Sequence, residues 1–112
     1  MTPRNQDSYY SYSSGASLSG NPKYTPMYER YLSEKVKHKN VILFYRIGDF
    51  YEVFNEDAKT VSKVLDLTLV SRDVGAGRVP MCGIPCYAAE RYIPQITKKG
   101  YKVAYADNNK KT

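Results

Sequence analysis

The chain reads as an α/β protein, a mixed β-sheet of about five strands flanked by three helices. Short aliphatic and aromatic runs of strand length recur at 41–47, 50–54, 67–71, 79–84 and 101–106. Three stretches with apolar residues at helical spacing are interleaved with them. The resulting order, α-β-β-α-β-β-α-β, gives a sheet covered by helices.

Residues 1–23 are rich in Ser, Tyr, Gly, Asn and Pro, and Leu18 is their only branched aliphatic side chain. Such a stretch cannot bury enough apolar surface to offset the entropy of ordering, so a disordered leader is expected. Tyr9, Tyr10 and Tyr12 make it a candidate stacking patch, with a plain flexible tail as the ordinary reading. Thr25-Pro26 then starts the first helix, with Thr at the cap and Pro at the first helical position. Tyr28, Tyr31, Leu32 and Val36 form its apolar stripe. It is expected to end near His38-Lys39-Asn40, where basic residues suit the negative end of the dipole.

Val41–Ile47 is nearly continuous in apolar residues, as in a central strand buried on both faces. Gly48-Asp49 follows. Glycine takes positive φ without strain and aspartate tolerates turns, so a tight hairpin or sharp corner is expected. In the strand Phe50–Phe54, Phe50, Glu52 and Phe54 share one face, and Tyr51 and Val53 the other. A carboxylate between two phenyl rings is unusual for plain core. Either Phe50 lies at the strand's frayed start with Glu52 on a wet rim, or the two form an aromatic wedge beside a hydrogen-bond acceptor.

Asn55-Glu56-Asp57 opens the second helix with a cap residue and two first-turn acids. Its core face is Ala58, Val61, Val64 and Leu65. Helix-start acids are the ordinary reading of Glu56 and Asp57, and a metal pair the less ordinary one. Leu67–Ser71 reads as a strand and Arg72–Arg78 as a polar, glycine-bearing loop. That loop lacks the phosphate-cradling glycine-lysine pattern of nucleotide sites. Its arginines remain candidates for phosphate contact. Val79–Ile84 is a short strand ended by Pro85. Tyr87–Lys99 is the third helix, with Ala89, Tyr92, Ile93 and Ile96 inward and Gly100 as its stop. Pro94 removes one hydrogen bond and crowds the Glu90 carbonyl, so a kink is expected. Tyr101–Ala106 is the last strand, and residues 107–112 are a polar tail.

A chain of 112 residues is one domain, here expected at 24–106. Net charge is +6, and the span 24–106 carries 13 Lys and Arg against 9 Asp and Glu. That excess suits a polyanion without demanding one. No apolar run reaches the roughly 18–20 residues that span a bilayer, and no secretory h-region opens the chain. A cytoplasmic protein without a membrane partner is expected. Cys82 and Cys86 read as reduced thiols, because no second pair exists and His38 is distant in sequence.

Phe44–Phe54, with Gly48, Phe50 and Glu52 as a Gly-x-Phe-x-Glu motif, resembles the N-terminal mismatch-recognition domain of MutS-type DNA mismatch repair proteins. Thr25-Pro26-Met27, Asp57-Ala58-Lys59, Leu65–Leu69 and Pro80–Pro85 continue the likeness collinearly over about residues 25 to 105. The resemblance implies a mixed sheet flanked by helices. It implies double-stranded DNA as partner, preferably mismatched, and no small-molecule substrate. Phe50 becomes the wedge that stacks on a base, and Glu52 the base contact. Gly48 and Asp49 form the turn of the motif. Arg46, Arg72 and Arg78 are weaker candidates for backbone contacts. ATP and magnesium belong to the family's ATPase region, which 112 residues do not hold, so no cofactor is expected here. Tyr105-Ala106-Asp107 departs from the Cys-Glu-Gln-like sequence usual at that place.

The chain is expected to be either a stand-alone recognition domain or a fragment of a longer protein, and Met1, the unusual leader and the polar tail favour the naturally short protein. Two rival functions stand beside DNA binding. A protein-interaction module, for instance of a mobile element, would retain the fold and contact a mismatch repair protein instead of DNA. A nuclease would need Asp49, Glu52 and Glu56 to converge on one metal, which their places in turn, strand and helix start oppose. No Ser/His/Asp set or metal cluster supports an enzyme.

Overall fold

The structure, a computed structural model, describes residues 23–108. The leader expected at 1–23 lies outside the described residues except for Lys23, and so do residues 109–112. The elements are α1 (Pro26–Val36), β1 (Ile42–Ile47), β2 (Phe50–Phe54), α2 (Asn55–Leu65), β3 (Val70–Asp73), β4 (Arg78–Pro85), a short 3-10 turn at Cys86–Ala88, α3 (Ala89–Thr97) and β5 (Val103–Asp107).

The five strands form one sheet in the order β3-β4-β2-β1-β5. β1 pairs in parallel with β5, and every other pairing is antiparallel, so the sheet is mixed as expected. β1 and β2 are central and alternate between two apolar layers. Ile42, Phe44, Val53, Cys82 and Ile84 pack under α2 and α3 with Ala58, Val61, Leu65, Ile93 and Ile96. Leu43, Tyr45 and Phe54 pack under α1 with Tyr28, Tyr31 and Val74. The second layer is aromatic. The Tyr31 ring meets Tyr45 and Phe54 edge-on at centroid distances of 5.7 and 4.7 Å, a favoured geometry for ring pairs.

Several boundaries differ from the expectation for local physical reasons. α1 ends at Val36, which is 63% exposed, and residues 37–40 form a turn. Thr25 does cap it, accepting from the Tyr28 N–H at 3.3 Å. Asn55 is not a cap. Its φ is +59°, and its side chain donates to the Tyr28 hydroxyl at 2.9 Å. Asp57 does more than face a helix dipole. Its Oδ2 accepts from the Leu43 N–H at 3.1 Å and from Lys35 Nζ at 2.8 Å, tying α2 to β1 and α1.

β3 starts three residues later than expected. Asp66 is left-handed, with φ +57°, and ends α2. Leu67 is then held back against the helix, its carbonyl accepting from Ser62 Oγ at 2.6 Å. The expected Arg72–Arg78 loop shrinks to 74–77, because Arg72 and Asp73 pair with Val79 and Arg78. Val74 in that loop is buried, and its carbonyl accepts from the Thr25 N–H at 2.8 Å. α3 begins at Ala89 after the 3-10 turn and is continuous through Pro94. β5 includes Asp107, and Asn108 is tied to Arg30 and Tyr45 through its side-chain oxygen. Among the described residues, no helix is long and apolar enough to cross a membrane.

Candidate nucleic-acid interface

β1 and β2 are joined by a two-residue hairpin. Ile47 faces Phe50 in the register, leaving Gly48 and Asp49 as the turn. Gly48 has φ +64°, and a Cβ there would meet nothing within 4 Å. Glycine is needed for backbone conformation, not for space. A type II′ turn places glycine at this first central position. The Arg46 Nε donates to the Gly48 carbonyl at 2.9 Å, and the Cys86 N–H donates to the Asp49 carbonyl at 2.8 Å. The turn is therefore braced from β1 and from the end of β4.

Phe50 is the first residue of β2, flanked by Ile47 on β1 and Pro85 on β4. It is 48% exposed, while Phe54 on the same sheet face is fully buried under α1. Face sharing is as expected, and the layer closes over one end of the strand only. Among the described residues Phe50 has no aromatic ring partner.

Glu52 does not face water on a rim. Its side chain is 14% exposed, and its Oε1 accepts from Arg72 Nη1 at 2.6 Å. Gly83 on β4 lies opposite Glu52 in the register. A Cβ there would stand 3.5 Å from Glu52 Cγ and 3.0 Å from the Tyr51 carbonyl oxygen. The tight contact is with the Tyr51 backbone oxygen, whereas the Glu52 side chain would meet such a Cβ at ordinary van der Waals distance.

Only one of the three candidate arginines joins this pair. Arg72 is bound to Glu52. Arg46 neighbours Tyr51 in the register and lies on the opposite sheet face, folded onto the turn. Arg78 is bound to Ser71 by Nε at 2.8 Å and Nη2 at 2.9 Å, at the far end of β4. At about 3.3 Å per residue, β4 puts it roughly 23 Å from the Phe50 rim. Asp49 and Glu56 sit at opposite ends of β2, and no group of three His, Cys, Asp or Glu that could hold a metal occurs among the described residues.

Two features have no counterpart in the sequence reading. Tyr87, in the 3-10 turn after Pro85, is 86% exposed close to the hairpin end. The Glu52–Arg72 pair joins strands that are neighbours only through β4. Strand order is tertiary, and no local spacing announces it. Both cysteines are free thiols. Burial pushes the Cys82 thiol up to about 11.

The family model described as MutS domain I matches residues 25–112. DNA mismatch repair protein MutS of Bacillus subtilis is 54% identical over 85 residues, which is 75% of this chain and 10% of that protein. The protein of the same name from Desulforamulus reducens is 55% identical over 84 residues, covering 74% of this chain and 10% of its own. That of Halothermothrix orenii is 52% identical over 86 residues, covering 76% and 10%. The chain spans about a tenth of the length of these relatives. It belongs to the MutS domain I family.

Proposed function

We propose that this domain binds duplex DNA at mispaired or otherwise deformable sites, with Phe50 as the wedge and Glu52 as the base contact. The observation that carries this reading is the exposed Phe50 ring at the start of a central strand, with Glu52 two residues on along the same face. A mispair stacks poorly, so a ring inserted there displaces less stacking than at a paired step. The names of the relatives, DNA mismatch repair proteins, point the same way.

The Glu52–Arg72 pair fits this role. An ionised carboxylate offers about four acceptor positions, so Glu52 accepts from a displaced base while keeping Arg72. A lone carboxylate repels phosphates. The adjacent guanidinium offsets that repulsion and remains a candidate for a phosphate contact. Arg46 and Arg78 hold backbone and polar partners, and contribute less. Recognition on this proposal involves no catalytic step and needs no nucleotide or metal, and it takes place in the cytoplasm.

The test is a titration of labelled duplexes, with and without a mispair, at two salt concentrations. Preference for the mispair that Phe50→Ala removes supports the reading. Equal binding of both duplexes by the wild type overturns it.

A further inference from the structure

Four lysines, Lys39, Lys98, Lys99 and Lys102, stand at the end of the sheet opposite the Gly48-Asp49 turn. β1 and β5 are parallel neighbours, so the segments leading into them lie side by side. A bond of 2.8 Å from the Ile42 N–H to the Lys102 carbonyl joins them. All four lysines are exposed. The nearby acids are engaged elsewhere: Glu34 by Lys37, Glu56 by Lys59, and Asp57 by Lys35. None of the four has an ion-pair partner among the described residues. α3 also ends here, and its dipole presents roughly half a negative charge. That accounts for a fraction of one lysine.

We propose that this cluster is a second, sequence-independent binding surface for the phosphate backbone of duplex DNA, separate from the Phe50 rim. Uncompensated lysines brought together from two loops attract a polyanion and gain by releasing its counterions. The six-residue strand β1 separates the two ends. At about 3.3 Å per residue that is roughly 20 Å, about twice the Debye length at physiological salt. The charges of the cluster therefore reach the rim only weakly, and because the two stand at opposite ends of the sheet the proposal seats a different stretch of duplex on each. The lysines give affinity without sequence, and the rim gives preference for the mispair.

The experiment measures matched-duplex binding against salt for the wild type and for a variant with Lys39, Lys98, Lys99 and Lys102 all changed to Gln. Each phosphate contact adds about 0.9 to the logarithmic salt slope. The variant should lose roughly 2–4 from that slope and bind at least tenfold more weakly at low salt. Its ratio of mispaired to matched affinity should not change. Two duplexes carrying donor and acceptor dyes should be drawn together by the wild type and not by the variant. Acetylation footprinting of the wild type, which needs no variant to fold, should find these lysines protected by matched duplex. An unchanged slope or absent protection overturns the proposal, as it would if the cluster served an acidic protein. A loss confined to the mispaired duplex also overturns it.

Discussion

Arg72 on β3 reaches across β4 to donate from Nη1 to Oε1 of Glu52 on β2, at 2.6 Å. One partner is a carboxylate mostly withdrawn from water, the other a guanidinium about one-third exposed. The two substitutions should therefore differ. Arg72→Ala leaves a shielded carboxylate unpaired, at a cost of about 1–3 kcal/mol, and should weaken binding to all duplexes. Glu52→Ala frees a cation and removes an anion. It should strengthen binding to matched duplex and reduce preference for the mispair. Urea melts and duplex titrations of both variants check this. Equal effects of the two on matched-duplex binding would show that the pair is only structural.

Two glycines with positive φ should respond differently to alanine. At Gly48 the Cβ meets nothing, so Gly48→Ala should cost only the backbone strain, about 1–2 kcal/mol. At Gly75 the φ is +102°, and a Cβ would stand 2.5 Å from the Lys23 carbonyl oxygen and 2.9 Å from the Thr25 nitrogen. Both contacts are backbone and cannot rotate away. Gly75→Ala should be the more destabilising and should loosen the start of α1. Thermal melts of the two variants rank them.

Pro94 lies inside α3 and is exposed. Its ring contributes no core packing, and it cannot donate to the Glu90 carbonyl. Pro94→Ala restores that donor and should raise the melting temperature. A fall would show that the helix has adapted to the ring and that the proline's restriction of the unfolded chain dominates.

Stability should fall at alkaline pH. The Cys82 thiol is raised from 9.0 to about 11 by burial. Tyr28, Tyr31, Tyr45 and Tyr51 are also raised, chiefly by burial. Each group keeps its proton longer in the folded state than in the unfolded one. Their contribution is complete below the unfolded values near pH 9–10 and is lost as pH rises through the folded ones. Cys82 alone accounts for at most about 2–3 kcal/mol of the loss. Urea unfolding at pH 7.5 and 10.5 should show it, and Cys82→Ala should reduce the difference. Equal stabilities at the two pH values would contradict the prediction.

Element order was legible because its signals are local. The 3.6-residue stripe of Ala58, Val61 and Leu65 and the aromatic-rich, strand-length run Phe50–Phe54 need no tertiary information. What stayed hidden depends on partners distant in sequence. Asn55 looked like a cap because its residue type favours one, yet Tyr28 claims its side chain. Val74 looked like loop because its neighbours are polar, yet it is buried beside the start of α1. Asp57 looked like a helix-start acid, yet it holds a strand N–H and a lysine from two other elements. At the site, the motif marked Phe50 and Glu52, but only the sheet order could unite Glu52 with Arg72.

Phe50 gives the sharpest separation between wedge and core. A ring 48% exposed, at the first position of β2, contributes only part of its area to packing. Phe50→Ala should therefore leave the fold intact and cost less than the roughly 3–5 kcal/mol typical of a buried phenylalanine. Phe54→Ala, four residues along the same face and fully buried, should incur that full cost and serves as the internal standard. If the Phe50 ring stacks on a base, its removal forfeits about 1–3 kcal/mol of binding to the mispaired duplex, which is fivefold to more than a hundredfold in affinity. Binding to matched duplex should change little, because no ring is inserted there. The melting curve of Phe50→Ala comes first, and duplex titrations follow. A stable variant with undiminished preference for the mispair would remove Phe50 from the mechanism.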